Sequence, residues 1–568
     1  MRVVAKRLSS RMGRRPSLLA TLVVALLALA LVPSASWARA KTGSLTVNVA
    51  EGSGSSSQLK AYQLFSADVA DDDGTNKVVS NVTWASSSAQ AVVTAQIKAS
   101  DPTFTGTTAQ ECAEWLDKNV PSDSSSASSS PVVLAIAKAM MTSSATPTSV
   151  TAGDRTELAE GYWLLVSDDT AVGTGQSGTS PILVVVGGLP VTASTKSSVP
   201  TVEKTVLEDS TDAWQKQADA TVGDSLYWKL QATIPAGIKG YTTYGITFHD
   251  TLTAGLSSAS NVRVYVAAGT SGDEWEKAAS APDGWTELDP SEYTVSSEAQ
   301  SSGSTLDVTV TDLIKSAATH GMDFSSGLCV VVTYDAPLSA EASHGFDAPN
   351  VDTVTLRYPR SPYSDTYSET EESTAVAYTW DLSLTKRDSS SDAKLAGAVL
   401  RITDDRGRHL TQSGSWTTED ATVTTDANGL VTVGGVDSGT FDVEEVSAPQ
   451  GYDAFAGSRR ITLSVTLDPD QIVSGKDKAA NKAGLEAVSP LRVDSFDAYA
   501  GTAQVSALDD TTPKTPAGKA AKGIAKAVSS MLPKTGDPTS FIPVAILVVA
   551  GVAAILASRR LRGRGDGR

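Results

Sequence analysis

In 568 residues the chain has only two cysteines, Cys112 and Cys329, which excludes a disulfide framework as the source of its rigidity. They lie far apart and read as buried free thiols in separate domains. Histidine is almost as scarce: His249, His320, His344 and His409 are scattered without ligand spacing, so neither a metal site nor a cofactor is expected. Long apolar runs occur only near the two ends, from Leu18 to Val32 and from Phe541 to Ala557. Basic residues are in deficit, 46 against 64 acidic ones, for a net charge of -18. The first 40 residues hold seven Lys/Arg and no acid, and residues 537–568 hold five Arg against two Asp, so the stretch between them carries -28. A body this acidic argues against nucleic acid or anionic lipid as partner and favours a soluble, extended, extracellular role.

Catalytic signatures are missing too. No GxSxG or HExxH occurs, and although Gly173-Thr174-Gly175-Gln176-Ser177-Gly178 fits GxGxxG, a strand rather than a helix follows it. No helix N-terminus would then face a phosphate, and the segment reads as a loop. The chain reads as a non-enzyme.

What is present begins at the ends. Arg2, Lys6, Arg7, Arg11, Arg14 and Arg15 precede the first apolar run, and the small residues Ser36, Ala38 and Ala40 follow it, the pattern of a secretory signal peptide over residues 1–40. Near the other end stand Leu532-Pro533-Lys534-Thr535-Gly536, then the second apolar run, then Arg559, Arg560, Arg562, Arg564 and Arg568. The run is near the lower length limit for a membrane helix, and the arginines would hold residues 558–568 on the cytoplasmic side. That order predicts a chain exported, stalled in the membrane and cut at the short motif; an ordinary membrane anchor is the plainer alternative.

Between the ends, Ser, Thr, Val and Gly dominate. Alternating runs such as Leu45-Thr46-Val47-Asn48-Val49 and Leu306-Asp307-Val308-Thr309-Val310, punctuated by Gly, Pro, Asp and Asn, predict a mainly β chain of tandem immunoglobulin-like β-sandwiches. Helical period appears from Ala109 to Asn119 and from Pro131 to Met141. Polar and Pro-containing joints divide the body into residues 41–198, 199–380 and 381–511, followed by a Pro/Lys/Ala/Gly-rich spacer over 512–531.

The chemistry lies in a few ionisable residues aimed inward. In Leu382-Ser383-Leu384-Thr385-Lys386 alternation puts Lys386 on the apolar face, and in Gly439-Thr440-Phe441-Asp442-Val443-Glu444-Glu445 it puts Glu445 beside Phe441 and Val443. A lysine in a sandwich core is costly unless neutral or paired. Burial lowers an amine's pKa and raises a carboxyl's, so a neutral amine and a protonated acid can coexist there. The amine is then a nucleophile, and the product would be an intramolecular isopeptide bond.

Phe441-Asp442-Val443-Glu444-Glu445 followed by Ala448-Pro449-Gln450-Gly451-Tyr452 resembles the E-box of Cna B-type domains in Gram-positive pilins, and the LPKTG stretch resembles the LPxTG signal of sortase substrates. The resemblance implies a Cna B-type domain over residues 381–511, with Lys386 as nucleophile and Glu445 as acid. Asp509, on one face with Val505 and Ala507, is the preferred acceptor, with Asn481 the alternative. Residues 199–380 resemble a fimbrial isopeptide-forming domain, which implies a Lys204–Asn350 bond assisted by Asp250. Residues 41–198 resemble a pilin N-terminal domain through Lys60-Ala61-Tyr62-Gln63-Leu64-Phe65 and Val79-Ser80-Asn81-Val82-Thr83-Trp84, with no bond-forming triad. By the same resemblance a sortase attacks the Thr535 carbonyl, releases Gly536 onward, and passes the acyl group to an amine. Lys196 is the candidate amine of the next subunit, and an ordinary linker lysine is the alternative. The implied protein is a shaft subunit of a covalent surface pilus, with sortase, neighbouring pilin subunits, peptidoglycan and a host ligand as partners; a monomeric wall-anchored adhesin is the rival.

Overall fold

Burial follows alternation along strand after strand. In Gly303–Val310 the residues Ser304, Leu306, Val308 and Val310 are buried while those between them are half-exposed, and Trp380–Asp388 repeats the pattern over nine residues. The computed structural model describes residues 41–49, 54–72, 76–121, 129–197, 199–269, 275, 281–472 and 480–512. The expected signal peptide, sorting motif, membrane run and basic tail lie outside them. The fold is mainly β, built as successive β-sandwiches.

The first sandwich joins a five-stranded sheet to a three-stranded one. Strands Thr42–Asn48 and Val191–Ser194, first and last in this unit, pair in parallel. Both expected helices are present, Ala109–Asn119 and Pro131–Thr142. The former starts with a capping box, Thr108 accepting from the Glu111 N–H while Glu111 reaches back to Thr108. A further helix, Ser87–Ser100, was not apparent in the sequence: its buried stripe is only Ala89, Val93 and Ile97, set among Ser, Thr and Gln. These three helices cover the five-stranded sheet and share one core with it. Cys112 and Cys329 are both buried, and neither forms a disulfide.

The second sandwich packs a six-stranded sheet on a seven-stranded one. Thr201–Glu208 lies beside Tyr227–Ile234 in the first, and Ile246–Thr253 lies beside Asn350–Pro359 in the second. In the third sandwich Trp380–Asp388 pairs in parallel with the closing strand Thr502–Thr511, while Gly439–Ser447 belongs to the facing sheet.

The joints between sandwiches are packed. Tyr363, on a turn of the second unit, belongs to the hydrophobic core of the first. Its hydroxyl accepts from the Ser167 N–H and donates to the Thr179 carbonyl, each at 2.8 Å. At the next joint Phe346 stands edge-on to Tyr378 and Trp380, with centroids 5.2 and 5.1 Å away, inside the core of the third unit.

Candidate cross-linking sites

Lys77, Lys204 and Lys386 are each fully buried, a placement that demands a compensating charge or a chemical fate. Their surroundings separate them into two kinds.

Lys77 has the simple fate. Its ammonium donates to Asp71 Oδ1 at 2.5 Å, the Gly187 carbonyl at 2.6 Å and the Leu189 carbonyl at 2.9 Å. Three N–H groups thus meet three acceptors, and Asp71 is itself bonded to the Leu189 N–H at 2.6 Å. The cluster is an ion pair that clamps a hairpin to a turn, with no second carboxyl to assist a reaction.

Lys386 differs. Its strand is buried at alternate positions, so its ammonium points between the sheets. It lies 2.9 Å from Glu445 Oε2 and in hydrogen-bond contact with Asp509 Oδ1, all three side chains being buried. Glu445 also accepts the Phe455 N–H at 3.1 Å, which fixes its orientation, and the Phe455 ring sits 4.8 Å from the amine. Burial, with the Glu445 carboxyl beside it, pushes the Asp509 carboxyl up to about 7 against the pull of Lys386. The alternative acceptor Asn481 is not brought to this site. Its amide exchanges hydrogen bonds with Gln217 at 2.9 and 3.2 Å and accepts the Asp468 N–H at 3.0 Å, so it serves the seam with the second unit.

Lys204 has a similar setting with one change from expectation. Its ammonium is 2.8 Å from both oxygens of Asp250 and 2.9 Å from Asp352 Oδ1, and it also donates to the Tyr334 hydroxyl. The Trp228 ring closes the site 5.2 Å from the amine. Asn350, the expected acceptor, is not at Lys204. Its amide donates to the Ser343 and Ala377 carbonyls at 3.0 and 3.1 Å and accepts the Ser343 N–H at 2.9 Å, tying down a loop. The reason is strand geometry. Asn350 and Asp352 are two apart in a strand buried at alternate positions, so they share a face, and alternation cannot say which one stands opposite the lysine. Burial and the neighbouring Asp250 charge hold the Asp352 carboxyl well above its usual range. Sequence reasoning also missed Tyr334, whose hydroxyl touches Asp250 Oδ2 and lies 2.8 Å from Asp352 Oδ2. Its strand, Leu328–Asp335, is buried on both faces almost throughout, so no alternation marked it out.

Lys196 is half-buried beyond the last strand of the first unit, its N–H donating to Thr179 Oγ1 at 2.8 Å and its carbonyl accepting from the Ser180 N–H at 2.9 Å. Thr535 and its neighbours in the sorting motif lie outside the described residues. Among the described residues no group of three or more His, Cys, Asp or Glu side chains could hold a metal ion.

Residues 381–479 match the family model described as SpaA, a prealbumin-like fold domain. No curated protein sequence matches the chain. Among solved structures, the T6 backbone pilin of serotype M6 Streptococcus pyogenes is 16% identical, with a TM-score of 0.48, over 84% of this chain and 100% of its own. The full-length major pilin SpaD of Corynebacterium diphtheriae is 15% identical, with a TM-score of 0.45, over 84% and 98%. BcpA, the major pilin subunit of Bacillus cereus, is 14% identical, with a TM-score of 0.39, over 83% and 99%. The third sandwich, with its buried Lys386 and Glu445, is thus the part of the chain that a family model of prealbumin-like domains matches.

Proposed function

We propose that this chain is a structural subunit of a covalently assembled cell-surface pilus, exported, joined by sortase through Thr535, and stiffened by two internal isopeptide bonds. The observation that carries the reading is the recurrence, in consecutive sandwiches, of a fully buried lysine in contact with two buried carboxyls. Such a cluster is a poor way to gain stability, because desolvation offsets most of the Coulomb attraction. As a reaction site it is well arranged: nucleophile, proton-accepting acid and electrophilic carboxyl are held within hydrogen-bond distance, and proximity supplies much of the barrier reduction.

In the second sandwich Lys204 attacks Cγ of Asp352 with Asp250 taking up the amine proton; in the third Lys386 attacks Cγ of Asp509 with Glu445 in that role. Each forms an N–C bond and breaks a C–O bond, and one water leaves. Asp352 replaces Asn350 as acceptor, so the second bond also releases water rather than ammonia. A bond between Lys386 and Asp509 would tie the first strand of its domain to the last, where a pulling load enters and leaves.

The polymer is tested on the bacterial surface. Wall extracts boiled in detergent should show a ladder of covalent multimers that disappears on Thr535→Ala. A single band for the unaltered chain would instead support the monomeric adhesin. Loss of the ladder in Lys196→Ala, with export intact, would support that residue as the acceptor amine, and an unchanged ladder would sink it.

A further inference from the structure

We propose that the Tyr334 hydroxyl is a catalytic proton relay for the Lys204–Asp352 bond, bridging Asp250 to the leaving oxygen of Asp352. This rests on the reading that the bond forms.

A phenol has one hydrogen to donate and can accept two. The Tyr334 hydroxyl contacts three groups: the Lys204 ammonium, Asp250 Oδ2 and Asp352 Oδ2. The ammonium can only donate. If the phenol donates to one carboxylate, its contact with the other is favourable only when that second carboxyl carries a proton. The site therefore favours one ionised and one protonated aspartate, linked through the phenol. Asp352, 2.9 Å from the amine through Oδ1, takes the proton on Oδ2 and donates it to Tyr334, which donates to Asp250. Tyr334 itself stays neutral, since burial and the two aspartates push its own ionisation far up.

From that state the reaction balances. Lys204 passes one proton to Asp250 and attacks Cγ of Asp352. The departing Oδ2 hydroxyl needs a proton to leave as water, and it lies against Tyr334. Asp250 hands a proton to Tyr334 as Tyr334 hands its own to Oδ2. The second amine proton then returns to Asp250 as the tetrahedral intermediate collapses. An ammonium, a carboxylate and a carboxylic acid become an amide, a water and a carboxylic acid, with charge zero on both sides.

The third sandwich explains why the second requires the phenol. There the acid is a glutamate, and its carboxyl shares the Lys386 ammonium with the acceptor Asp509, with no hydroxyl between them. In the second the acid is an aspartate, one methylene shorter, and Tyr334 supplies the missing reach. The aromatic ring near the amine in the third domain is Phe455, which has no hydroxyl.

The test uses the full chain made by cell-free translation, sampled over time and digested, with the cross-linked peptide pair containing Lys204 and Asp352 measured by mass spectrometry. The unaltered chain should accumulate that pair one water lighter than the sum of its peptides; failure here overturns the bond itself rather than the relay. Tyr334→Phe should slow closure by roughly 10²-fold or more, the usual weight of a positioned proton donor. It should leave the Lys386–Asp509 pair unaffected. Adding Asp250→Glu to Tyr334→Phe should restore much of the rate, a rescue that a merely structural tyrosine would not give. Closure at the unaltered rate in Tyr334→Phe would overturn the relay, as would the absence of rescue in a folded double variant. Should Tyr334→Phe leave the second sandwich protease-sensitive, 3,5-difluorotyrosine at position 334 decides: a changed rate is expected, and an identical rate and pH profile would overturn the proposal.

Discussion

Asn350 and Asp352 are one strand repeat apart, and in the proposed reaction that difference decides whether ammonia or water leaves the second domain. Asp352→Ala should abolish the loss of water there, because it removes the carboxyl beside Lys204, whereas Asn350→Ala should leave that loss intact and only loosen the loop held by Ser343. Peptide mapping of the two variants checks this, and a cross-link that survives Asp352→Ala would return the assignment to Asn350. Lys386 and Asp509 allow a prediction on pH. The electrophile must be the protonated acid, and the Asp509 carboxyl is held up to about 7. Closure in the third domain should therefore be fastest below about pH 7 and fall about tenfold per unit above it, as the protonated fraction does. A rate flat from about pH 6 to about pH 9 would sink that account. Much of this geometry was legible in the sequence, because a lysine on the apolar face of a short alternating strand is conspicuous. What stayed hidden was position along the strand, which alternation does not encode, and Tyr334, whose strand is buried on both sides. Lys77 was also hidden: its clamp depends on two backbone carbonyls, which no side-chain pattern announces.

At the scale of elements, the turn carrying Tyr363 behaves as a plug from the second sandwich into the first. The sequence indicated sandwiches and two of the helices through their periodicity, yet this plug was illegible, since a tyrosine in Ser361-Pro362-Tyr363-Ser364 looks like an ordinary exposed turn. The ring joins the first core, and the hydroxyl satisfies a buried N–H on strand Gly161–Ser167. Tyr363→Phe keeps the packing but orphans the Ser167 N–H and the Thr179 carbonyl, and should cost about 1–3 kcal/mol. Tyr363→Ala also leaves a cavity and should cost about 3–5 kcal/mol. Thermal unfolding of the full chain measures both: a Tyr363→Phe chain as stable as the unaltered one would mean that the hydroxyl contributes nothing, and equal losses in the two variants would mean that the ring does not. The helix Ser87–Ser100 was missed for a related reason. It is held by the small residues Ala89 and Val93 fitting under neighbours, a tertiary effect that a weak apolar stripe does not reveal.

For the whole molecule, the question is whether the sandwiches act as one rod, and the seam between the second and third units gives that question a pH dependence. Asp219 Oδ2 accepts the Trp380 indole N–H at 3.1 Å and the Ser438 N–H at 2.9 Å, and the Asp219 N–H donates to Glu208 at 3.0 Å. Asp437 lies beside them, its N–H held by Thr221 at 3.0 Å. Arg406 pairs with Asp209, Asp224 and Asp437, and Arg408 with Asp224 and Asp404, so the cations sit toward the rim while the acids lie within. Burial, then the charge of Asp219, raises Glu208 to about 7; burial also raises Asp219, and burial with the surrounding acids raises Asp437 well above its usual range. Carboxyls raised on folding stabilise the packed state fully below their ordinary unfolded values, and that stability is lost as pH rises through the folded ones. Each proton so lost costs on the order of 1.4 kcal/mol per pH unit across the window. The seam should therefore open more readily at about pH 8 than at about pH 6, while the sandwich interiors stay closed. Hydrogen exchange at the Asp219 and Ser438 amides and the Trp380 indole, corrected for the intrinsic rate, reads this opening directly. Protection should fall with pH in the unaltered chain and fall less in Glu208→Gln, which keeps an acceptor for the Asp219 N–H but cannot titrate. Protection that does not change with pH would show that the arginines neutralise the seam completely, and the joint would then be rigid on either side of neutrality.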